Sequence, residues 1–177
     1  MDIACIQETR WKGEKSRDLG DGFKLLYKGA SNSRNGVGIV VSERLRDGIT
    51  GVDRVSDRLM SIKLVVGMKI LRVVTAYAPQ AGCTDEEKDG FWQELDDYVR
   101  SVPSEETLLI GADLNGHVGE QRRGASKCHG NHGYGIRNDE GERILEFATA
   151  HELALANTYF IKKDNHLVTY ASGERKS

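Results

Sequence analysis

The 177-residue sequence predicts a mixed α/β (α+β) fold in which helices flank two β-sheets. Three observations support this fold class. Predicted strands outnumber predicted helices, strands in the first half are joined as hairpins, and strands alternate with helices in the second half. Because a domain contains roughly 100–200 residues, we interpret residues 1–177 as a single domain.

Composition and charge indicate a globular domain. Hydrophobic residues make up 38% of the sequence and charged residues 29%, and 25 Lys and Arg against 27 Asp and Glu leave a formal net charge of −2. These values exclude a membrane-embedded chain and a disordered charged chain. Because the charge is nearly neutral, a phosphate-bearing partner must be held by a local basic patch or a metal ion.

Sequence features also indicate where the protein acts. The sequence has no apolar run near the ~18–20 residues of a membrane span and no signal-peptide layout, so we expect no membrane partner. The three cysteines are odd in number and widely spaced, which favours free thiols in a reducing compartment. We therefore expect an intracellular protein.

Apolar patterning predicts four strands in the first half of the chain. Ile3–Gln7 is short and apolar, and the β-branched run at 36–41 follows a turn signal. Leu59–Val66 alternates with period two, and the run at 70–77 follows a glycine turn, so these two segments predict a hairpin.

The clearest helix signal follows the hairpin. Thr84 and Glu87 have the spacing of a capping box, apolar residues then recur at helical spacing, and Pro103 ends the segment. We predict a helix over about 84–102.

The remaining segments predict strand, loop and helix in turn. A short buried strand is predicted at 108–110, and the glycine-rich stretch at 116–137 is typical of a long surface loop. A second helix is predicted over about 140–151, with Asn138 as its N-cap, and a strand at 153–156.

Polar residues follow three predicted strands. Glu8, Tyr77 and Asp113 lie at strand ends, where loops of such folds converge into a site. Asp113 and Asn115 are two apart on an extended backbone, so we expect both side chains to project to the same face. Mg²⁺ is typically held by one or two carboxylates, water and substrate phosphate, so Glu8 with help from Asp113 suits such an ion.

Simpler structural roles stay open for the same residues. An Asp-x-Asn sequence before a glycine is often a turn stabilised by Asx hydrogen bonds. For an isolated tyrosine such as Tyr77, the usual role is a packed aromatic ring whose hydroxyl bonds a backbone group.

Three motifs resemble those of the endonuclease/exonuclease/phosphatase superfamily, the fold of deoxyribonuclease I and the apurinic endonucleases. They are Ile6-Gln7-Glu8-Thr9-Arg10, Ala76-Tyr77-Ala78-Pro79 and Gly111-Ala112-Asp113-Leu114-Asn115-Gly116. Segments 11–13, 34–38 and 137–141 resemble, more narrowly, the endonuclease domain of LINE-type (non-LTR) retrotransposons of the RTE kind and the craniofacial development protein 2-like proteins derived from them.

The resemblance implies a deoxyribonuclease I-like four-layer sandwich, two sheets flanked by helices, with a metal-dependent nuclease activity. The implied cofactor is Mg²⁺, with Mn²⁺ as the alternative, and the implied substrate is DNA, which the enzyme nicks. It further implies a retrotransposon-derived protein with a reverse transcriptase domain in the full-length parent and a nuclear location.

The resemblance also assigns roles to individual residues. Glu8 is the implied metal ligand, and Tyr77 the implied contact of the scissile phosphate. Asp113 is implied to orient or deprotonate the attacking water, and Asn115 to hold the phosphate and that aspartate in register. Metal-assisted hydrolysis fits these roles, because the ion neutralises developing phosphoryl charge while the carboxylate activates water.

Two further residues are implied to bind the substrate. They are Arg10, next to the metal ligand, and Asn138, for which the N-cap role is the alternative.

The long loop allows one more interpretation. His117, Cys128, His129 and His132 are of metal-binding types, but their spacing matches no standard zinc finger. We favour a polar, glycine-rich loop over a zinc site.

The sequence also departs from the superfamily pattern. We expect truncation at both ends, because an early asparagine strand, a late aspartate strand and a closing Ser-Asp-His motif are not found. We therefore expect weak hydrolysis or none. Two rival functions are a catalytically dead, domesticated binding domain, and a phosphatase or phosphodiesterase of the same fold, which a closed pocket without basic walls would favour.

Overall fold

The computed structural model of the chain describes residues 1–121, 124–125, 127–162, 171–172 and 175–176. The chain divides into two compact units, Met1–Leu114 and Asn115–Ser177. The single domain expected from the sequence stays a prediction.

The first unit contains an antiparallel sheet of four strands. They are β1 (Ile3–Gln7), β2 (Gly13–Gly20), β3 (Phe23–Gly29) and β4 (Val37–Ser42), in the order β1-β4-β3-β2. All six residues of β4 are buried, as its β-branched sequence predicts for a central strand. In contrast, β2 lies at the edge of the sheet and exposes seven of its eight residues, in agreement with its polar sequence.

The second sheet of this unit is mixed. Its strands are β5 (Ile49–Arg54), β6 (Leu59–Val66), β7 (Lys69–Tyr77) and β8 (Thr107–Asp113), in the order β5-β6-β7-β8. Strands β6 and β7 form the predicted antiparallel hairpin. Strand β8 is parallel to β7, so the connection between them must return along the sheet.

The main core of the first unit lies between these two sheets. It contains buried side chains from β3 and β4 packed against others from β6 and β7, namely Leu26, Val37, Ile39, Val41, Met60, Ile62, Leu64, Val73 and Tyr77. Burial of each large aliphatic side chain contributes about 1.5–3 kcal/mol. The core thereby fixes the strand ends that carry the candidate site.

Two helices belong to the first unit. The short α1 (Glu43–Arg46) follows β4, and α2 (Asp85–Ser101) connects β7 to β8. The predicted capping box is confirmed, because Thr84 and Glu87 each accept a hydrogen bond from the other's backbone N–H. The hydroxyl of Tyr98 on α2 hydrogen-bonds the Ser61 hydroxyl of β6, which ties the helix to the second sheet.

The second unit contains the other predicted helix, α3 (Asp139–Ala150). The strand predicted at 153–156 is wrong, because a 3₁₀ turn, Ala156–Thr158, follows instead. Leu155 N–H donates to the Cys128 carbonyl at 2.9 Å, so a loop rather than a neighbouring strand satisfies this backbone group.

The other described residues of the second unit form loops, apart from one strand pair. The described residues of 116–137 contain neither helix nor strand, as predicted. Two short strands, β9 (Ala171–Ser172) and β10 (Arg175–Lys176), pair antiparallel. No helix in the described part of the chain is both long and apolar enough to cross a membrane.

Candidate active site

The C-terminal ends of three strands meet in the first unit. Because β7 and β8 are parallel, Tyr77 pairs directly with Asp113. Gln7, at the end of β1, joins them from the opposite sheet, since its Nε2 donates to Thr75 Oγ1 at 2.9 Å and to the Gly111 carbonyl at 3.1 Å. The amide of Gln7 thus links β1 to both strands.

Glu8 and Tyr77 are in direct contact at this place. The Tyr77 hydroxyl donates to Glu8 Oε1 at 2.8 Å. Gln80 Nε2 in turn donates to the Tyr77 hydroxyl at 3.1 Å. The structure therefore brings together two of the predicted site residues, 69 positions apart in the chain.

The backbone that follows β1 is held in an uncommon conformation. Glu8 and Arg10 both adopt positive φ angles, 54° and 51°, which cost energy for residues with a side chain. Two backbone hydrogen bonds hold them, from Thr9 N to the Gly36 carbonyl at 3.0 Å and from Arg10 N to the Asn35 carbonyl at 2.9 Å. This loop fixes where the Glu8 carboxylate lies.

Close packing in the same loop requires a glycine at position 36. Gly36 has a φ of 94°, and a Cβ there would lie 2.3 Å from Thr9 Oγ1. That hydroxyl oxygen is buried and has no hydrogen-bond partner among the described residues. A larger residue at 36 would displace the loop that carries Glu8.

Arg10 forms an ion pair with the second oxygen of the Glu8 carboxylate. Its Nη2 lies 2.7 Å from Glu8 Oε2. The side chains are 60% exposed for Arg10 and 35% for Glu8, so solvent reaches this ion pair. Both carboxylate oxygens of Glu8 are therefore engaged by groups of the chain itself.

Arg58 holds Tyr77 from the other side. Its guanidinium carbon lies 5.2 Å from the centroid of the Tyr77 ring, and its Nη1 donates to the Tyr77 carbonyl at 3.1 Å. A guanidinium at this distance interacts favourably with an aromatic ring. Arg58 thus restricts the ring while bringing a positive charge to the site.

These contacts shift two pKa values in opposite directions. The hydrogen bond from Tyr77, followed by that from Arg10, lowers the pKa of Glu8 below its ordinary value. Burial, followed by the hydrogen bond to Glu8, raises the pKa of Tyr77 to about 12. At neutral pH, Glu8 is therefore an acceptor, and Tyr77 keeps its proton as a donor.

The pair lies in a cleft of about 500 Å³. The walls of this cleft include three arginines, Arg10, Arg34 and Arg58, and two carboxylates, Glu8 and Glu87. Three arginines against two carboxylates give the cleft walls a net positive charge, which attracts anions.

The structure corrects the reasoning about Asp113 and Asn115. Strand β8 ends at Asp113, whose side chain is exposed beside Tyr77 in the sheet register. Asn115 has a φ of 49°, so the backbone is not extended and the prediction that both side chains share a face is wrong. Asn115 belongs to the second unit, and its role at the phosphate stays a prediction.

Asn138 also lies in the second unit, where it caps α3. Its Oδ1 accepts from Gly141 N at 2.8 Å and from His117 N at 2.9 Å. The N-cap interpretation is therefore confirmed, and its contact with substrate stays a prediction.

His129 and Cys128 of the long loop serve local packing. His129 is buried, its Nδ1 accepts from Asn131 N at 3.0 Å, and its Nε2 lies 3.1 Å from the Gly119 carbonyl. Burial lowers the pKa of His129. Cys128 is buried and contacts the Ala125 carbonyl through its sulfur. Both residues thus have structural partners, in agreement with the loop interpretation.

Glu8 has the chemistry that a hydrated magnesium ion requires. Among the described residues, no group of three or more His, Cys, Asp or Glu side chains is arranged to hold a metal ion. Mg²⁺ commonly keeps several waters and takes only one or two protein carboxylates, completing its shell with substrate phosphates. Glu8, partly exposed in the cleft, is of the donor type that such a single anchor requires, and in this structure Arg10 contacts its Oε2.

Sequence reasoning missed two residues that shape the site. Arg58 precedes β6 and Gln80 follows the end of β7, and both contact Tyr77. Gln80 directly follows the Ala76–Pro79 motif, so its position in the sequence could have indicated that it lies near Tyr77. Arg58 carries no such signal, because its contact with Tyr77 depends on how the segment before β6 packs against the end of β7.

Curated proteins resemble the chain along almost its whole length. Craniofacial development protein 2 from Bos taurus is 30% identical over 172 residues, covering 97% of this chain and 29% of that protein. The protein of the same name from Tragulus javanicus is 28% identical over 172 residues, covering 97% of this chain and 30% of that protein. The chain therefore spans about three tenths of the length of these relatives. No protein-family model matches it.

Solved structures identify the fold. An AP endonuclease, LMAP, from Leishmania major has a TM-score of 0.58 and 13% sequence identity, with 85% of this chain and 57% of that chain covered. The endonuclease domain of TRAS1, a telomere-specific non-LTR retrotransposon, has a TM-score of 0.54 and 13% identity, with 85% and 58% covered. The chain has the same fold as these two structures, the deoxyribonuclease I-like fold that the sequence predicts.

Proposed function

We propose that the chain is the DNA-nicking endonuclease domain of a retrotransposon-derived protein and that it hydrolyses phosphodiesters with a divalent metal ion. The observation that carries the proposal is the Glu8–Tyr77 pair, hydrogen-bonded where three strand ends meet inside a cleft with three arginines. The pair supplies one ionised carboxylate and one protonated phenol, and the arginines supply attraction for phosphate.

Each side chain has a distinct task in this proposal. Tyr77 donates a hydrogen bond to a phosphate oxygen, which requires its hydroxyl to turn away from Glu8. Asp113, exposed beside Tyr77, orients or deprotonates the attacking water. Asn115 holds the phosphate and Asp113 in register. A Mg²⁺ ion anchored by Glu8, or Mn²⁺ in its place, would neutralise charge that develops on the phosphoryl oxygens.

Several features support DNA as the substrate and partner. Arg10, Arg34 and Arg58 line the cleft, and basic side chains that contact backbone phosphates provide affinity without reading sequence. The two structures named above are an AP endonuclease and a retrotransposon endonuclease domain, which agrees with DNA rather than a small phosphoester. We extend the proposal to Asn138 as a further DNA contact, to a reverse transcriptase domain in the full-length parent and to a nuclear location.

A plasmid-nicking assay tests the proposal. Supercoiled plasmid is incubated with the chain in Mg²⁺ or in EDTA, and nicked circles are quantified on gels. We expect slow nicking in Mg²⁺, because Glu8 begins with both oxygens engaged, and none in EDTA. Asp113→Ala should abolish nicking, whereas Asp47→Ala, which removes an exposed aspartate on the turn after α1, should not. Nicking that persists in EDTA or in Asp113→Ala would refute the proposal.

A second candidate function is a binding domain without catalysis. One observation favours it, namely that Glu8 is satisfied by Tyr77 and Arg10 without a metal. Duplex DNA binding that is equal in EDTA and Mg²⁺, with no nicking in either, would select this function. The phosphatase alternative is weaker, because the arginine-lined cleft does not match the closed pocket without basic walls that it needs.

A further inference from the structure

The ion pair between Arg10 and Glu8 places a positive group of the chain where a metal ion would bind the carboxylate. Nη2 of Arg10 lies 2.7 Å from Oε2 of Glu8, and Tyr77 engages only the other oxygen, Oε1. Oε2 is thus the oxygen for which another cation would compete. At this distance a guanidinium and a divalent ion cannot share the same lone-pair direction of one oxygen.

The loop geometry allows Arg10 to leave without rearranging Glu8. The backbone of both residues is fixed by the bonds from Thr9 N to the Gly36 carbonyl and from Arg10 N to the Asn35 carbonyl. The Arg10 side chain is 60% exposed, so only its side-chain torsions need to change. The Tyr77 hydrogen bond continues to hold the carboxylate meanwhile.

A released Arg10 guanidinium would still belong to the cleft wall. Arg10 lines the same cleft as Arg34 and Arg58. The nearby Glu8 carboxylate offsets the attraction of Arg10 for other anions. Without that pairing, the guanidinium is free to bind a phosphate through paired N–H donors.

We propose that Arg10 is an internal counter-cation that yields Glu8 Oε2 to a divalent metal ion and then binds a phosphodiester, so that metal and DNA bind with positive coupling. This inference rests on the proposed function for the place of the metal at Glu8. The inference adds an order of events to the proposed function. Without metal, Arg10 is paired with Glu8 and does not bind phosphate, and metal binding at Glu8 frees Arg10 to do so. By linkage, the factor by which metal strengthens DNA binding equals the factor by which DNA strengthens metal binding.

The size of the effect follows from the exposure of the pair. Solvent-exposed ion pairs contribute little, so competition by Arg10 weakens metal binding by about two- to fivefold. Removal of the guanidinium should therefore strengthen metal binding by that factor. This direction is informative, because loss of a side chain that merely supported the site would weaken metal binding.

Calorimetric titration of Mn²⁺ into the DNA-free chain measures the competition. Arg10→Gln should bind Mn²⁺ about two- to fivefold tighter than wild type, and Glu8→Gln should not bind it. Lys69→Gln is the matched control, because it removes one positive charge at the opposite end of β7 from Tyr77. Its Mn²⁺ affinity should equal that of wild type, which separates a local effect from a change in net charge.

Fluorescence anisotropy with a phosphorothioate DNA duplex measures the coupling at constant ionic strength. Mn²⁺ should strengthen duplex binding by wild type and by Lys69→Gln. In Arg10→Gln this gain in duplex affinity should be smaller, by the same factor by which calorimetry finds its Mn²⁺ affinity to exceed that of wild type. Equal gains in wild type and Arg10→Gln would overturn the coupling.

The outcomes separate this inference from the proposed function. If wild type and Arg10→Gln bind Mn²⁺ equally and Glu8→Gln does not bind it, the competition is overturned and the metal site at Glu8 stands. Weaker binding by Arg10→Gln also overturns the inference. If none of the variants binds Mn²⁺, the metal site itself is wrong, and both proposals fail. A thermal melt of each variant checks that Arg10→Gln folds like wild type.

Discussion

The hydroxyl of Tyr77 at the end of β7 donates a 2.8 Å hydrogen bond to Oε1 of Glu8, which follows β1 in the opposite sheet. One bond thereby connects the two sheets at the edge where the strand ends meet. It lowers the pKa of Glu8 and contributes to raising that of Tyr77. At neutral pH Glu8 is therefore ionised and Tyr77 protonated, which are the states that the proposed hydrolysis uses.

Tyr77→Phe tests the hydroxyl while keeping the ring. We expect nicking to fall roughly 10²-fold, as for removal of one donor to developing charge. The free energy of unfolding should fall by only about 1 kcal/mol, the net contribution of a hydrogen bond. Tyr98→Phe is the matched control, because Tyr98 bonds Asp53 at 2.8 Å from α2, outside the cleft. It should lower stability comparably and leave nicking unchanged, and comparable losses of nicking in both variants would contradict the role of Tyr77.

The depressed pKa of Glu8 predicts a pH-dependent contribution to stability. The unfolded carboxyl has its ordinary pKa of 4.5, and the hydrogen bonds from Tyr77 and Arg10 lower it in the folded chain. The stabilisation is therefore complete above the unfolded pKa and is lost as the pH falls through the lower, folded pKa. The difference in unfolding free energy between wild type and Glu8→Gln should stay constant from about pH 8 to 6 and shrink below the unfolded value.

Urea denaturation at a series of pH values measures this difference. Glu105→Gln serves as the control, since Glu105 is an exposed glutamate of the same unit. A Glu8→Gln difference that is independent of pH across the acidic range would show that Tyr77 and Arg10 do not favour the ionised form.

The fold was predictable where patterning was strong. Strands β1, β4, β6 and β7 are apolar or alternate, and both long helices carry caps that fix their starts. Strands β2, β3 and β5 were missed. For β2 the reason is its polar edge position, which leaves no alternation because almost no side chain is buried. The error at 153–156 has the opposite cause, since Leu153 and Leu155 pack against the apolar cluster of the second unit from a loop.

The site was predictable only in part. Sequence places Glu8 and Tyr77 at strand ends, and the parallel pairing of β7 with β8 brings Asp113 beside Tyr77. The ion pair of Arg10 with Glu8 depends on positive φ angles at both residues, which no residue-type preference predicts for Glu and Arg. The contact of Arg58 with Tyr77 likewise depends on tertiary packing.

Gly36→Ala should lower the free energy of unfolding more than the backbone strain of a positive φ angle alone would. Gly36 and Gly67 both have positive φ, 94° and 61°, but only at Gly36 would a Cβ meet another atom, Thr9 Oγ1 at 2.3 Å. Gly67→Ala should cost about 1–2 kcal/mol through backbone strain, and Gly36→Ala a further 1–3 kcal/mol, roughly, through overpacking. Chemical denaturation compares the two. Thr9→Ala in the Gly36→Ala background should recover part of the lost free energy of unfolding. If it recovers none, the clash with Thr9 Oγ1 is not the cause of the loss.

Arg34 should contribute to DNA affinity through charge alone. Its side chain is exposed on the cleft wall, in the loop just before Gly36. If it neutralises one phosphate, Arg34→Gln weakens binding to unrelated duplex sequences by the same factor and lowers the slope of log affinity against log salt by about one. Fluorescence anisotropy in EDTA, over about 50–200 mM KCl, measures the slope without cleavage. Lys69→Gln should leave the slope unchanged, and an equal reduction in both variants would show that net charge, rather than the cleft, attracts the duplex.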